Sequence, residues 1–202
     1  MRHLRLRALL AATALLTVGC GSRAIATSDQ SPPRDETMAR HTMPDGTSLS
    51  DADMEGMGAT RPSEAASMVC SGEIRRAVKR TFQLDRQPHS THDWSRGRFT
   101  CRYQLPDGPL ELSVEDFTDK RLGHAYFTGL RSRLTRDRTI TGVPSLGFPA
   151  FETPDGTVGF LKDGKTLLVD ARRVSTASLP TGFSRAEAAY GVAAAVIGCW
   201  TE

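Results

Sequence analysis

Two stretches of alternating apolar and polar residues, joined by a short turn, constrain the fold of this chain more than any other feature. Every second residue from Phe99 to Leu105 is apolar, and so is every second residue from Leu110 to Val114. Because successive side chains of a strand point to opposite faces, each stretch predicts a strand with one buried face. The intervening Pro106-Asp107-Gly108 is typical of a turn. An antiparallel hairpin is therefore predicted.

The same signal returns towards the carboxyl end. Ile140 and Val143 indicate a further short strand, and Pro154-Asp155-Gly156 predicts a turn. Strands are predicted over residues 157–161 and 166–171, with Lys162-Asp163-Gly164-Lys165 as the turn between them. Strands that are joined by turns this short must pair antiparallel.

Helical periodicity identifies three further segments. Residues 71–82 place Ile74 and Phe82 on one apolar face, and residues 184–200 begin with a capping box, Ser184 and Glu187. In the third segment, residues 119–134, the predicted inward residues are Leu122, Ala125, Tyr126, Leu130 and Leu134. The expected fold is α+β, a two-layer sandwich in which an antiparallel sheet of four to six strands carries about three helices, packed mainly on one face.

The amino terminus predicts a lipoprotein signal peptide over residues 1–19. Arg2, Arg5 and Arg7 form a basic region, and the uncharged residues 8–19 that follow are too few to span a bilayer. Small and apolar residues lead to Cys20, whose thiol is expected to carry a diacylglyceryl group. The expected location is the extracytoplasmic face of the cell membrane, reached through this lipid anchor. The alternative is an ordinary secretory signal with a chance cysteine at its end.

Composition divides the remainder of the chain near residue 65. Residues 20–65 lack apolar periodicity and are rich in polar residues, which predicts a disordered tether, and residues 66–202 have the length of a single domain. Removal of the leader leaves 23 basic against 23 acidic residues. A near-neutral chain without basic and aromatic clusters gives no reason to expect a nucleic-acid partner.

Three cysteines, Cys70, Cys101 and Cys199, remain when Cys20 is assigned to lipid. Disulfides persist outside the cytoplasm, and a bridge between Cys70 and Cys101 would attach the first helix to the buried face of the hairpin. We favour this pairing, which leaves Cys199 unpaired. Pairing of Cys199 with either of the others is the alternative.

The predicted tether contains soft metal ligands. Thioether and imidazole groups suit copper(I), which tolerates ligands from a flexible chain. The candidate ligands are Met38, His41, Met43, Met54 and Met57. The alternative is a plain solvated linker, and apart from copper no cofactor is expected.

The predicted domain offers few candidates for chemistry. His89 and His92 are spaced like ligands on a helix, but Pro88 and the polar residues around them predict a loop over residues 87–97. Trp94 in this segment is either a contact surface for a ligand or a residue that packs over the sheet edge. Glu115 and Asp116 are adjacent, so a strand would point them to opposite faces and they could not act as a catalytic pair.

Motifs for catalysis are not evident in the sequence. The segment around Ser145 differs from a hydrolase nucleophile elbow, because two residues separate Gly142 from the serine where that motif has one. The sequence carries no Walker loop, Rossmann glycine fingerprint, HExxH or CxxC motif. These observations favour a protein that is not an enzyme.

Several short motifs resemble those of the uncharacterised secreted lipoproteins of high-GC Gram-positive, actinobacterial species. They are Cys20 with its leader, Met68-Val69-Cys70-Ser71, Thr100-Cys101-Arg102-Tyr103, Thr153-Pro154-Asp155-Gly156 and Gly198-Cys199-Trp200. The helix, the cysteine-bearing strand and the glycine-rich residues 142–150 are more weakly similar to the extracellular sensor domains of actinobacterial serine/threonine kinases. The resemblance implies a small tethered domain at the cell surface, and it implies no catalytic residue.

Taken together, these features predict a noncatalytic cell-surface lipoprotein that binds or senses an unknown ligand or protein partner. The two alternatives are a copper-handling envelope protein that uses the tether and an envelope hydrolase that uses Ser145.

Overall fold

A computed structural model of the chain describes residues 40–42, 48–50, 61–134 and 136–200. Two short antiparallel strands, β1 (Arg40–Thr42) and β2 (Ser48–Ser50), fall inside the segment that was predicted to be a structureless tether. The sequence between them contains Pro44-Asp45-Gly46, the same turn-forming triplet that separates the predicted strands elsewhere. Cys20 and the proposed copper ligands lie outside the described residues, apart from the backbone of His41 in β1.

The main sheet has seven antiparallel strands, in the spatial order β3-β4-β5-β9-β8-β7-β6. The α+β class is confirmed, but the prediction of four to six strands is too low. The strands are β3 (His89–Ser95), β4 (Arg98–Leu105), β5 (Gly108–Asp116), β6 (Arg138–Ile140), β7 (Ala150–Glu152), β8 (Thr157–Lys162) and β9 (Lys165–Asp170). The predicted hairpin is β4–β5, in which Phe99 pairs with Val114 and Leu105 with Gly108.

The prediction of a loop over residues 87–97 is wrong, because most of that segment forms strand β3. This edge strand pairs along its whole length with β4, from His89 opposite Gln104 to Ser95 opposite Arg98. Most of its residues are exposed on both sides. A strand that is largely exposed on both faces has no apolar alternation, so its sequence resembles that of a polar loop.

Within the described residues four α-helices accompany the sheet, one more than predicted: α1 (Glu64–Met68), α2 (Gly72–Thr81), α3 (Lys120–Arg133) and α4 (Arg185–Cys199). The additional helix, α1, is a single short turn capped by Ser63. At α4 the predicted capping box is confirmed, since the Ser184 hydroxyl accepts from the Glu187 amide and the Glu187 carboxylate accepts from the Ser184 amide. No helix in the described part of the chain is long and apolar enough to cross a membrane.

The larger hydrophobic core lies on the side of the sheet that carries Tyr103, Leu112 and Phe160, here called the inner face. Helices α1, α2 and α4 contribute to this core, and the Tyr103 hydroxyl donates to the carbonyl of Val69 over 2.7 Å. A disulfide joins Cys70 to Cys101, with a Cα–Cα distance of 5.4 Å, and Cys199 is a free thiol. The favoured pairing is therefore the one present, and it attaches the start of α2 to β4.

Helix α3 lies on the opposite side of the sheet, here called the outer face. Phe127 of α3 packs with Phe151 and Leu161, whose chain neighbours Ala150 and Phe160 point into the inner core. Because strand neighbours point to opposite faces, these contacts place α3 across the sheet from the other helices. The predicted two-layer arrangement is thus incomplete, since the sheet is covered on part of both faces.

The buried side of α3 also differs from the prediction. Gly123 and Phe127 are the buried residues of this helix, whereas Ala125, which was expected to point inward, is exposed. Gly123 allows close approach to the β8–β9 turn: a Cβ atom added there would lie 2.0 Å from the carbonyl oxygen of Gly164. The contact at Gly123 therefore fixes both the position and the rotation of α3.

Candidate functional site

Helix α3 covers only part of the outer face, and a groove lies beside it on the remaining sheet surface. Its cavity volume is about 250 Å³. The floor is formed by β4, β5 and β9, and one wall is formed by α3. We call this site the polar groove, lined by Arg98, Glu111, Ser113, Glu115, Tyr126, Leu130, Thr166, Leu168, Asp170 and Arg172.

Strand register brings these side chains together. The groove residues of β4, β5 and β9 alternate along their strands with residues of the inner core, so the groove residues point to the outer face. Neighbouring positions form three cross-strand rows, namely Arg98–Glu115–Thr166, Thr100–Ser113–Leu168 and Arg102–Glu111–Asp170. The hairpin thus supplies opposite charges in direct cross-strand pairs, an arrangement that stabilises a sheet.

At one end of the groove, Arg98, Glu115 and Tyr126 form a hydrogen-bonded cluster. The Arg98 guanidinium is ion-paired with the Glu115 carboxylate, whose side chain is only 9% exposed. The Tyr126 hydroxyl accepts from Arg98 and donates to Glu115, both over 3.1 Å. Burial, followed by the charge of Glu115, raises the pKa of Tyr126 to about 12. This tyrosine therefore stays protonated and links α3 to the floor of the groove.

The other end of the groove is bordered by two further ion pairs. The Arg102 Nη2 and Glu111 Oε2 atoms lie 2.6 Å apart, and so do the Arg172 Nη2 and Asp170 Oδ2 atoms. Burial alone would raise the pKa of the Asp170 carboxyl, but hydrogen bonds from the Arg172 side chain and backbone hold it below its usual value. Asp170 is therefore ionised and is oriented by Arg172.

The groove floor also carries two hydroxyl groups that make no hydrogen bond to the part of the chain that the structure describes. Thr166 is 1% exposed, and its buried Oγ1 atom has no partner. Ser113 occupies the middle row of the groove floor, and its Oγ atom forms no hydrogen bond within the described residues. A buried polar group without a partner costs about 1 to 3 kcal/mol, and this applies to Thr166. Ser113 is only half-buried, so its hydroxyl is open to a ligand.

The charged groups of the groove can form hydrogen bonds beyond their ion pairs. Each carboxylate of the groove is ion-paired with a guanidinium, which leaves its remaining lone pairs to accept hydrogen bonds. Leu130 and Leu168 add apolar surface beside these polar groups. In the described residues, no cluster of three or more histidine, cysteine, aspartate or glutamate side chains could hold a metal ion.

The residues singled out in the sequence do not meet in this groove. Trp94 is on the inner face, partly buried against the larger core and opposite Phe99. His89 and His92 lie on opposite faces of β3, and the His92 ring stacks on Phe99. Trp94 therefore packs at the sheet edge, and the two imidazoles lie on different sides of the sheet.

Ser145 has a structural role in its own turn. Its hydroxyl donates to the carbonyl of Gly142 over 2.7 Å and accepts from the amide of Gly147 over 3.3 Å. Both partners are backbone groups, so neither is a base that could activate a nucleophile.

Adjacent acidic residues in β5 behave as the alternation predicts. Glu115 points into the polar groove, whereas Asp116 points to the inner face. There Asp116 accepts from the Ser63 amide over 2.9 Å and pairs with Lys165 over 3.4 Å. Sequence reasoning missed the groove itself, although the opposite charges at matched positions of the predicted hairpin, such as Arg102 and Glu111, were a visible signal.

Comparison of the chain with protein-family models, with curated proteins and with solved structures found no match.

Proposed function

We propose that this chain is a noncatalytic binding module that holds a small polar ligand in the polar groove. In this proposal the acylated Cys20 keeps the module at the extracytoplasmic face of the membrane, where it meets its ligand. A sensing role in which ligand occupancy is passed to a protein partner fits the same module.

The observation that carries the proposal is the combination of paired charges with unpartnered hydroxyls in one concave site. A few convergent polar groups beside apolar side chains are typical of ligand pockets. The Thr166 Oγ1 atom is buried without a hydrogen-bond partner, and Ser113 lies near it on the floor. A bound molecule in the groove can hydrogen-bond to the accessible Ser113 hydroxyl.

The noncatalytic part of the proposal is supported by the pKa values of two groove residues, Asp170 and Tyr126. Catalytic acids and bases have pKa values near the working pH, whereas the pKa of Asp170 is lowered and that of Tyr126 is raised to about 12. Each group therefore keeps one protonation state around neutral pH, which suits a fixed hydrogen-bonding surface.

The test is a thermal-shift screen on the chain from residue 20 onward, with Cys20→Ser to prevent acylation. The probes are neutral monosaccharides, amino acids, short carboxylates and inorganic phosphate. We expect at least one class to raise the melting temperature. The expected shift is lost in Ser113→Phe, which fills the groove, and is retained in Thr91→Phe, the same kind of change at an exposed outer-face position of β3.

Two outcomes would contradict the proposal. One is a screen in which no class stabilises the chain, or in which the hits stabilise Ser113→Phe as well as the parent. The other is chemical conversion of a compound that stabilises the chain. We expect mass spectrometry after long incubation to recover that compound unchanged, and a product would show that the site is catalytic.

A further inference from the structure

We propose that the ligand of the polar groove is an electrically neutral polyhydroxyl ring, that is, one monosaccharide unit, either free or as part of a glycan. This inference rests on the proposed function and specifies the chemistry of its ligand. It is carried by the balance of charge in the groove, by its hydrogen-bonding groups and by its size.

Charge balance argues against an ionic ligand. The lining residues Arg98 and Arg172 and the bordering Arg102 carry three guanidinium groups. Each is already ion-paired with one carboxylate, that of Glu115, Asp170 and Glu111, respectively. A ligand carboxylate or ammonium would have to break one of these pairs and leave a partly buried charge without its partner. Such exchange is costly because a buried charge needs a paired, hydrogen-bonded neighbour. A neutral ligand leaves all three pairs intact.

The hydrogen-bonding groups match a set of adjacent hydroxyls. A sugar hydroxyl is both donor and acceptor, and neighbouring hydroxyls on a ring present these functions side by side. Paired carboxylates and guanidinium groups retain lone pairs and N–H groups beyond those used in the ion pair, and both are planar groups that bind in a bidentate manner. Ser113 adds an accessible hydroxyl that can donate or accept as the ligand requires.

Shape and size point the same way. The apolar face of a sugar ring, formed by its C–H groups, requires apolar protein surface, which Leu130, Leu168 and the Tyr126 ring supply along one side of the groove. The cavity of about 250 Å³ lies just below the range of about 300 to 1,000 Å³ that holds drug-sized ligands. One ring fits this volume, and a longer glycan would extend out of the groove.

The test measures dissociation constants by isothermal titration with N-acetylglucosamine, galactose, mannose and arabinose, in parallel with alanine, glycine betaine, acetate and phosphate. We expect a neutral sugar to bind, and we expect its affinity to change less than about twofold between low and high salt, because screening acts only on charges. Soluble peptidoglycan fragments and a neutral polysaccharide, titrated in the same way, distinguish a glycan from the free sugar as the source.

Two matched variants locate the contact. Ser113→Ala removes the accessible hydroxyl of the groove floor and is expected to weaken sugar binding about three- to tenfold, the value of one hydrogen bond. Thr157→Val removes an unpartnered buried hydroxyl of β8, which does not line the groove, and should leave binding unchanged. Neither change removes a hydrogen bond between the described residues, so both variants should fold.

The outcomes separate this inference from the proposed function. Binding of alanine, betaine or an anion that is lost in the groove variants, with no binding of sugars, overturns the neutral-ring inference and leaves the binding module standing. Sugar binding that Thr157→Val weakens as much as Ser113→Ala also overturns it. Absence of binding for every probe class contradicts both.

Discussion

Substitution of Gly123 by alanine tests how α3 is held on the outer face. The added Cβ would lie 2.0 Å from the Gly164 carbonyl oxygen and 2.6 Å from its carbonyl carbon. These are backbone atoms of the β8–β9 turn, so they cannot rotate away as a flexible side chain would. The helix must therefore separate from the turn, and the wall of the polar groove moves with it.

The magnitude follows from two opposing terms. Alanine in place of glycine within a helix stabilises by about 1 kcal/mol, whereas overpacking against a rigid neighbour costs about 1 to 3 kcal/mol and sometimes more. At Gly123 the clash is with backbone, so we expect the upper part of that range to apply and the variant to lose about 2 kcal/mol net.

Gly129 in the same helix is the matched control. There an added Cβ would meet only a side-chain nitrogen of Arg133, at 3.6 Å. Gly129→Ala should therefore keep the helix-propensity gain and be more stable than the parent by about 0.5 to 1 kcal/mol.

The assay is urea unfolding followed by circular dichroism, with the free energies compared at equal m-values. The expected order of stability is Gly129→Ala, parent, Gly123→Ala. A Gly123→Ala variant as stable as Gly129→Ala would refute the close packing of α3 against the turn, because the propensity term is the same at both positions.

Three further predictions concern other parts of the fold. Replacing Cys70 and Cys101 together by alanine removes a disulfide between positions 31 residues apart. On the loop-entropy model this should lower the free energy of unfolding in urea by about 3 to 4 kcal/mol. An unchanged urea midpoint would contradict the prediction. Ser184→Ala removes the cap of α4 and should cost about 1 kcal/mol, whereas Ser184→Asn, which retains a capping oxygen, should restore most of it. Burial raises the pKa of Tyr126 and of Tyr103 to about 12, above the ordinary tyrosine value of 10.0, so the folded state keeps protons that the unfolded chain loses. This contribution to stability is complete below about pH 10 and is lost as the pH rises towards about 12. Between pH 9 and pH 11 the free energy of unfolding should fall less in Tyr126→Phe than in the parent. An equal fall in both proteins would show that Tyr126 titrates normally.

The sequence predicts elements well where one face is buried and the other is exposed. The hairpin of β4 and β5 is an example, because its apolar residues Phe99 to Val114 alternate and its turn contains Asp107-Gly108. Strand β3 is the opposite case. It lies at the sheet edge with most of its residues exposed, and its hydrogen bonds to β4 are backbone interactions that leave no periodic trace in the side chains.

The rotation of α3 shows a second limit. The helical periodicity of apolar residues predicted that Leu122 and Ala125 point inward. The helix instead packs through Phe127 and through Gly123, which has no side chain and so adds nothing to that periodicity. The contact partner of Gly123 is Gly164, in a turn 41 positions further along the chain. Such a close approach of two backbones depends on tertiary packing and is invisible to local periodicity.

The polar groove depends on the same placement. Its charged residues, such as Arg98 and Glu115, could be assigned to one face of the predicted hairpin, but that face was expected to be open to solvent. Only when α3 lies beside it, with Tyr126 bonded to both residues, does the surface become a concave site. The positions of the charges were therefore predictable, whereas their role as a pocket was not.

The most direct test of the central claim is a map of NMR chemical-shift changes in the labelled chain during titration with the best monosaccharide or other probe from the screen. A ligand in the polar groove is expected to shift the amides of β4, β5 and β9 around Ser113 and Thr166, together with those of α3 near Tyr126. Changes confined instead to β3 around Trp94, or to the exposed turn at Val143, would contradict the assignment of the polar groove as the binding site.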